Sequence, residues 1–343
     1  MRSGITLVAN TAFLFLKFFK IINLNNNYNI MKKNKAFSLV ELSVVILIIG
    51  ILVAGISQSG RLIRQIKIST ARSVTSSSDV GSIRDVTAWF ETSTDGVFTN
   101  INDVTDVEDD NEIKVWRDIN PQKSIGDKSI LQQSTSTQYP KFKSNGINGI
   151  PTLVFDGNDF MVSTDPSTMP IIPADKSFSM FAVFRTKLTF NQRKSFLAYV
   201  GGNTFTEGAY ASIGFLGTSG NNAKPGFIVN SATSNANWVR DVGIIDETDY
   251  ALGAVVDFNP ASTTYDSAKI FLNSIEPIVS GSLSSGGTPV APVLNSQKFV
   301  VGGLTDLFFN GWISEIIIFD RTLKKEEYEN TMKYLKKKYN ILG

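Results

Sequence analysis

Carboxylates are the side chains in this sequence that could do chemistry, because its 343 residues include no histidine and no cysteine. That composition excludes thiolate metal sites, disulfides, imidazole bases and nucleophiles activated by histidine. Three groups of acids stand out. Glu41 lies alone in an apolar run, Glu315 and Asp320 lie near the end of the chain, and a dense cluster comprises Asp103, Asp106, Glu108, Asp109, Asp110 and Glu112.

The acidic cluster is a candidate calcium site, because calcium takes hard oxygen ligands from such loops. Its ligands would be Asp103, Asp106, Asp109 and Asp110. The order DVTDVEDDNE lacks the alternating acids and the central glycine of an EF-hand, so the site would be irregular. A solvated acidic loop is the favoured interpretation, and calcium is the one cofactor that the sequence suggests.

Paired carboxylates could also hydrolyse glycosidic bonds. Glu108, Asp110 and Glu112 alternate, so a strand would place them on one face, where retaining hydrolysis needs two carboxyl groups about 5 to 5.5 Å apart. The intervening Asp109 and Asn111 would then face the core, which favours a loop instead. We therefore predict no catalytic residue and a protein that is not an enzyme.

Glu315 and Asp320 are also unsuited to acting as a catalytic pair. They are five positions apart, so a strand would point them to opposite faces. We expect a structural role for them, with Arg321 as a partner.

Glu41 interrupts a segment that is otherwise suited to a bilayer. Residues 37–56 carry no other charge and are long enough to span about 30 Å of hydrocarbon as a helix. A carboxylate inside the membrane costs about 2.5 to 3.5 kcal/mol, so it is a candidate functional group that requires a partner.

The charges that flank this span bear on its orientation. Residues 1–36 contain only basic charges, which favours a cytoplasmic N-terminus and an exported remainder. Basic residues also follow the span closely, so charge alone does not decide the orientation; they are Arg61, Arg64, Lys67 and Arg72. A second apolar run at 5–22 is either a membrane segment or lies upstream of the true start, and we favour a start at Met31.

The order of residues around the span resembles the type IV prepilin leader. The stretch KAFSLVELSVVILIIGILVAGI places a small residue, Ala36, before the apolar run, then Phe37, and an acid at the fifth position. Family members usually have glycine where this chain has Ala36. The resemblance implies cleavage between Ala36 and Phe37 by an inner-membrane prepilin peptidase and N-methylation of Phe37. It also implies that Glu41 pairs with the N-terminal amine of a neighbouring subunit; the alternative is an ordinary single-span anchor.

The helix is expected to continue beyond the membrane. Leu62, Ile63, Ile66 and Val74 recur at spacings near three and four, which is typical of an amphipathic helix. The run SVTSSS at 73–78 is expected to end the helix and form a linker. We therefore divide the chain into a leader at 1–36, a pilin-like helix at 37–78 with its span at 37–56, and a domain at 83–343.

The pattern changes after residue 83 to short apolar runs separated by turn residues, which favours an antiparallel β sandwich. An Asp-Gly pair in FDGND at 155–159 predicts a tight hairpin. A closing helix is expected over 323–339, with Lys336–Lys338 in its last turns. Strands are predicted near 152–156, 159–163, 177–187, 195–200, 209–216, 226–230, 250–258, 268–273, 298–302 and 311–319.

Several stretches of this domain resemble the concanavalin A-like lectin/glucanase superfamily, in its laminin G-like jelly-roll branch. They are VTAWFETS at 86–93, VWRDIN at 115–120, PTLVFDGNDF at 151–160, SFSMFAVFRT at 177–186 and GWISEIIIFDRTLKKEEYENTMKYLKKKY at 311–339. The resemblance covers 83–341 and implies two packed antiparallel sheets. It also implies a module that often binds carbohydrate or protein, sometimes with calcium, but it identifies no site. Trp116, Trp238 and Tyr210 are candidate sugar platforms, and packing in the core is the alternative for each.

Together these features predict a long N-terminal helix followed by an all-β jelly-roll sandwich with a short C-terminal helix. The predicted function is that of a minor pilin or pseudopilin that displays a lectin-like domain for adhesion to a glycan or surface protein. The alternatives are a structural pseudopilin of a type II secretion system and an anchored glycan hydrolase. The expected location is the inner membrane and then a periplasmic or surface filament. Expected partners are prepilin peptidase and other pilin subunits, but not nucleic acid, because the exported part lacks a dense basic stripe.

Overall fold

The computed structural model of the protein comprises two compact units, Met1–Gln58 and Ser59–Gly343. It describes residues 38–163, 165, 167–170, 177–187, 194–201, 210–217, 223–230, 235–239, 246–259, 264–277, 298–303 and 308–342.

Helix α1, Leu39–Ser76, is 38 residues long. In the first unit its apolar side chains from Leu39 to Val53 are exposed. The most apolar window of this helix has a mean hydropathy of 2.8 and no buried residue, so the helix is long and apolar enough to cross a membrane. The predicted span coincides with this part of α1.

The second unit is a sandwich of two antiparallel sheets, and helix α2 (Lys325–Tyr339) packs on the first of them. The strands are β1 Val86–Glu91, β2 Phe98–Asn100, β3 Ile113–Arg117, β4 Ile130–Gln132, β5 Lys141–Lys143, β6 Thr152–Asp156, β7 Met161–Ser163, β8 Phe178–Thr186, β9 Lys194–Gly201, β10 Tyr210–Gly217, β11 Ala223–Asn230, β12 Asn235–Val239, β13 Asp249–Asn259, β14 Thr264–Leu272, β15 Lys298–Val301 and β16 Asn310–Phe319. The first sheet has the order β14-β13-β8-β16-β6-β5, with β1 also paired to β16; the second has the order β12-β11-β10-β9-β15-β7-β4-β3-β2. The predicted fold class is confirmed.

Beside α2 the first sheet is buried on both faces, so its central strands are almost continuously apolar there. In β16, Ile316 and Ile318 point into the core between the two sheets, whereas Ile317 and Phe319 point to the opposite face. That opposite face forms an outer core with α2, to which Tyr328, Met332 and Leu335 contribute. Gly253 allows this close approach, because a Cβ atom there would lie 2.7 Å from the Phe181 ring.

The sequence prediction is wrong about the hairpin at FDGND. Gly157 does take a positive φ of 100°. However, β6 before the turn belongs to the first sheet, and β7 after it belongs to the second. A turn sequence specifies a local change of direction, whereas the strand that each side pairs with depends on the rest of the chain.

The serine-rich run at 73–78 contains the end of α1, as expected, but it does not form a linker. Helix α1 continues to Ser76, Thr75 is buried, and a short 3₁₀ helix follows at Asp79–Ser82. The short strands β1 to β5, each three to six residues long, were not predicted. The closing helix is confirmed: Glu327 caps its first turn, and Asn340 ends it in the left-handed conformation.

Asp159, just after the Asp-Gly turn, should make stability depend on pH. Its carboxylate accepts the Asp156 N–H at 2.9 Å and is only 4% exposed. Burial, together with the nearby Asp156 carboxylate, raises its pKa from 3.8 to about 7. The folded state therefore holds a proton that the unfolded state releases, so this contribution is complete below about pH 4 and is lost as the pH rises through about 7. It amounts to at most about 4 kcal/mol.

In Asp159→Asn the side-chain oxygen can still accept the Asp156 N–H, but the side chain cannot titrate. The variant should therefore not lose stability through this group as the pH rises. We expect the unfolding midpoint in urea to fall less between pH 5 and pH 8 in the variant than in the wild type. Asp106→Asn, in the exposed part of the acidic loop, serves as the matched control and should behave as the wild type. An identical pH dependence in Asp159→Asn and the wild type would contradict the prediction.

Candidate functional site

The start of α1 forms a capping arrangement around Glu41. One carboxylate oxygen of Glu41 accepts the Ser38 N–H at 3.0 Å, and the Ser38 hydroxyl accepts the Val40 N–H at 3.3 Å. A carboxylate in the first turn also interacts favourably with the positive end of the helix dipole. Glu41 therefore has a local structural role in addition to the intersubunit role that the sequence predicts. Ala36 and Phe37, the predicted processing residues, lie outside the described residues.

A second group of charges lies inside the sandwich unit, between the first sheet and α2. Glu91 on β1 and Glu315 on β16 are directly opposite across the two strands. The Lys338 ammonium group lies between them and donates to both carboxylates at 2.8 Å. All three side chains are fully buried. We call Glu91, Glu315, Lys338, Tyr334 and Tyr339 the ionic cluster.

The ionic cluster is completed by hydrogen-bond donors, because one ammonium group cannot neutralise two carboxylates. Glu315 accepts hydrogen bonds from the Trp89 indole at 2.7 Å, the Tyr334 hydroxyl at 2.6 Å and the Tyr339 hydroxyl at 2.9 Å. Glu91 accepts the Ser93 N–H and hydroxyl, and the Thr94 N–H. Buried charges are tolerated when they are paired and hydrogen-bonded in this way.

The pKa values keep these groups in complementary states. Burial alone would raise the pKa of Glu91, but Lys338 and the hydrogen bonds from Ser93 and Thr94 lower it to about 2. Burial would lower the pKa of Lys338, whereas the two carboxylates raise it above its usual value. Burial and the Glu315 charge raise the tyrosine pKa values well above 10, so both hydroxyls remain donors.

The ionic cluster also contacts α1. Thr75 Oγ1 lies 3.2 Å from Tyr334 Oη, and Arg72 Nε donates to the Ser93 carbonyl at 2.5 Å. Farther along the helix, Lys67 donates to the Asn148 carbonyl at 3.1 Å. Because the carboxylates of Glu91 and Glu315 have no exposed surface, a substrate cannot reach them in this structure. The arrangement joins α1, β1, β16 and α2.

The acids of the predicted calcium loop have other partners. Asp103 pairs with Lys114 at 2.8 Å, Asp110 pairs with Lys143 at 2.6 Å, and Asp109 accepts the Ser144 N–H. Asp106 is exposed. Within the described ranges, no group of three or more acids is arranged to hold a metal ion. Calcium binding by this loop stays a prediction, without a preformed site.

The segment around Glu108 and Asp110 consists of turns and bends, as the sequence prediction of a loop requires. Glu315 has the predicted structural role, but its partner is Lys338, not Arg321. Arg321 instead binds Glu327 through two 2.7 Å hydrogen bonds and lies 3.3 Å from Asp85. The Asp320 N–H donates to the Asp85 carbonyl.

Of the three candidate sugar platforms, the structure describes the side chain of one, Trp116. Trp116 is completely buried and donates to the Glu91 carbonyl at 3.0 Å, so it is a core residue. Tyr210 and Trp238 lie in β10 and β12, but their side chains fall outside the described part of the chain. Sequence reasoning did not identify Glu91 or Lys338. The only signal was that Lys338 lies at the end of the stretch 311–339, which resembles the lectin/glucanase superfamily. Nothing in the sequence around Glu91 or Lys338 indicates that these two side chains meet.

Comparison with known proteins identifies the N-terminal motif. Residues 31–57 match the family model of the prokaryotic N-terminal methylation motif, which confirms the predicted prepilin-type leader. No curated protein sequence matches the chain.

The sandwich is similar to several solved structures. Domain 4 of AbnA, a GH43 extracellular arabinanase from Geobacillus stearothermophilus, in complex with arabinotriose, is 14% identical with a TM-score of 0.44, over 72% of this chain and 97% of that one. The Ruminococcus gnavus IT-sialidase CBM40 is 12% identical with a TM-score of 0.39, over 53% and 96%. Trypanosoma rangeli sialidase in complex with 2,3-difluorosialic acid is 13% identical with a TM-score of 0.45, over 83% of this chain. This chain spans 40% of the length of that sialidase.

Proposed function

We propose that the protein is a pilin-like subunit that prepilin peptidase cleaves between Ala36 and Phe37 and that then enters a type IV pilus-type filament. The observation that carries the proposal is the match of residues 31–57 to the N-terminal methylation motif. The first half of α1 serves as the membrane anchor before assembly and as the packing helix afterwards. The sandwich is displayed outside the membrane, where it binds a surface ligand in adhesion.

The exposed apolar surface at the start of α1 supports a role in assembly. Side chains such as Ile46, Leu47 and Ile51 are more than half exposed in the isolated chain. Apolar surface of this extent requires either lipid or other helices around it. A bundle of identical helices supplies that environment when the subunit leaves the membrane.

Glu41 supports the proposal through its free oxygen. Only one of its carboxylate oxygens accepts a hydrogen bond from the described residues, namely the Ser38 N–H. The second oxygen can receive the N-terminal amine of a neighbouring Phe37. Pairing of these two charges offsets the cost of burying each of them in a filament core.

The contacts of the second half of α1 suit a displayed domain. Within the unit Ser59–Gly343, Arg64 donates a hydrogen bond to the Ser144 hydroxyl at 3.3 Å, and Lys67 donates one to the Asn148 carbonyl. The Thr75 hydroxyl lies against the Tyr334 hydroxyl. Ala71 is part of the outer core. The second half of α1 and the sandwich therefore belong to one compact unit.

N-terminal mass spectrometry of the protein from its native host tests the processing step. We expect a terminus at methylated Phe37 in cells with prepilin peptidase and an unprocessed terminus in cells without it. Ala36→Gly restores the residue usual in prepilins and is the positive control for cleavage. An intact Met1 or Met31 terminus in cells that contain the peptidase would contradict the proposal and leave a plain membrane anchor.

A further inference from the structure

One row of side chains crosses the outer face of the first sheet. Strand register places Lys141 opposite Val154, Val154 opposite Trp312, Trp312 opposite Arg185, and Arg185 opposite Asp249. Residues directly opposite each other lie on the same face of a sheet. These five residues, which we call the Trp312 row, therefore form a line across five strands, about 19 Å long at the usual strand spacing.

The Trp312 row lies where the outer face is open. Residues nearer α2 on this face, such as Val183 and Ala251, are buried in the outer core. By contrast, Lys141 is exposed, and Val154, Trp312, Arg185 and Asp249 are all half-buried. The body of Trp312 packs against the edge of the outer core, which holds the side chain in place while part of it remains in contact with solvent.

Trp312 differs from the other tryptophans whose side chains are described. Trp89 and Trp116 are buried, and their indole N–H groups donate to Glu315 and to the Glu91 carbonyl. The Trp312 N–H donates to none of the residues that the structure describes, and the ring is half-buried. A partly exposed ring with a spare donor suits a ligand that has both an apolar face and hydroxyl groups.

Arg185 lies over this ring in a cation–π contact. Its guanidinium group binds Asp249 through two hydrogen bonds of 2.6 and 2.8 Å, and its central carbon lies 5.6 Å from the centre of the Trp312 ring. A bidentate pair restricts both side chains, so little conformational entropy is lost when a ligand binds them. Arg185 therefore presents planar polar groups next to an aromatic surface.

Polar residues continue beyond the row, towards the end of the sheet that is away from α2. Asn310 is half-buried opposite Asp156, and the Lys187 N–H donates to the Asn310 carbonyl. Glu247 is exposed, and its N–H donates to the Thr186 carbonyl on β8. The side chains of Lys141, Lys187 and Arg185 balance the charges of Asp156, Glu247 and Asp249. These six described residues therefore carry no charge excess that would attract a polyanion.

We propose that the Trp312 row binds a neutral glycan. The C–H face of a sugar ring would stack on Trp312, while its hydroxyls, each a donor and an acceptor, bond with Arg185, Asp249 and Asn310. A protein partner is less well matched, because the residues paired with Trp312 across the sheet are Val154 and the charged Arg185, which provide little apolar surface. The place of this binding in adhesion rests on the proposed function, whereas the binding itself does not.

Binding of the purified full-length protein in detergent to laminarin, galactomannan and linear arabinan tests the proposal, with heparin as the anionic comparison. We expect binding to at least one neutral polysaccharide and a loss of about tenfold or more in Trp312→Ala. Trp312→Phe keeps an aromatic face and should retain most of the binding. Ile125→Ala removes an exposed apolar side chain elsewhere and is the matched control. Unchanged urea midpoints would show that the variants remain folded.

Three results would overturn the assignment: no binding to any of the neutral polysaccharides, equal binding by Trp312→Ala, or tighter binding to heparin. A fourth result that would overturn it comes from an adhesion assay with cells. Adhesion that requires Trp312 but survives periodate oxidation of the target surface would assign a protein ligand instead. The assay does not depend on processing or filaments, so a failure here leaves the Phe37 terminus result intact, and the reverse is also true.

Discussion

Lys338→Met is expected to lower the free energy of unfolding of the sandwich unit by about 3 to 5 kcal/mol, the cost typical of leaving a buried charge without its partner. The variant keeps most of the apolar length of the side chain but removes the only ammonium group that contacts Glu91 and Glu315 among the described residues. Two buried carboxylates would then lie opposite each other across β1 and β16 without a counterion. Urea unfolding of the full chain, followed by tryptophan fluorescence, measures the effect.

The pH dependence of this variant distinguishes charge from packing. In the wild type the pKa of Glu91 is about 2, below its usual 4.5, so its contribution is complete above about pH 4.5 and is lost as the pH falls towards 2. Without Lys338, burial should instead raise the pKa of Glu91, so acid should reduce the destabilisation of the variant. We therefore expect a smaller difference from the wild type at pH 4 than at pH 7.

Lys337→Met is the matched control for this experiment. Lys337 is the preceding residue on α2 and is exposed, so its loss should change the stability by less than about 0.5 kcal/mol. A Lys338→Met variant as stable as Lys337→Met would show that the ionic cluster does not stabilise the fold. A pH-independent loss would indicate that packing, not charge, is responsible.

Glu41→Ala is expected to reduce incorporation into filaments by at least about tenfold without impairing entry into the membrane. Removal of a carboxylate from the span makes insertion easier, by about 2.5 to 3.5 kcal/mol on insertion scales. In the proposed filament, however, the amine of a neighbouring Phe37 would then be buried without a partner. Quantitative immunoblotting of sheared filaments against the membrane fraction measures the ratio.

Glu41→Gln separates the two roles of Glu41. Glutamine can still accept the Ser38 N–H, so it retains the helix cap that the structure shows, but it carries no charge. If charge pairing drives assembly, Glu41→Gln should be nearly as defective as Glu41→Ala. Assembly of Glu41→Ala at the wild-type level would contradict the pairing argument, and a defect in Glu41→Ala alone would assign the effect to the cap.

The predictions from sequence succeeded where the signal is local. Residue types over 31–57 identify the methylation motif, and helical spacing identifies α2. Short apolar runs between turn residues located most strands after residue 150, including β8 and β16. The short strands β1 to β5 were not predicted. Three of them have only three residues, which is too short to establish a period of two.

The ionic cluster and the Trp312 row could not be located in this way. Glu91 and Lys338 are separated by 247 positions, and nothing near either one indicates its partner. Arg321 was the natural sequence neighbour for Glu315, but the strand points the Glu315 side chain towards α2. Trp312 was not among the aromatic candidates, whereas Trp116, which was, is buried.

The sequence by itself determined which side-chain chemistry this protein has, its apolar helix long enough to span a membrane, its N-terminal methylation motif and its sandwich class, because composition, hydropathy and short-range periodicity are properties of adjacent residues. The tertiary structure alone decided that the Asp-Gly turn crosses between sheets, that the helix continues through Ser76 of the serine-rich run, and which charges and aromatics meet. The reason is physical. Strand register and helix packing join residues far apart in the chain, and the alternation of side chains then places each one in the core or on the open face.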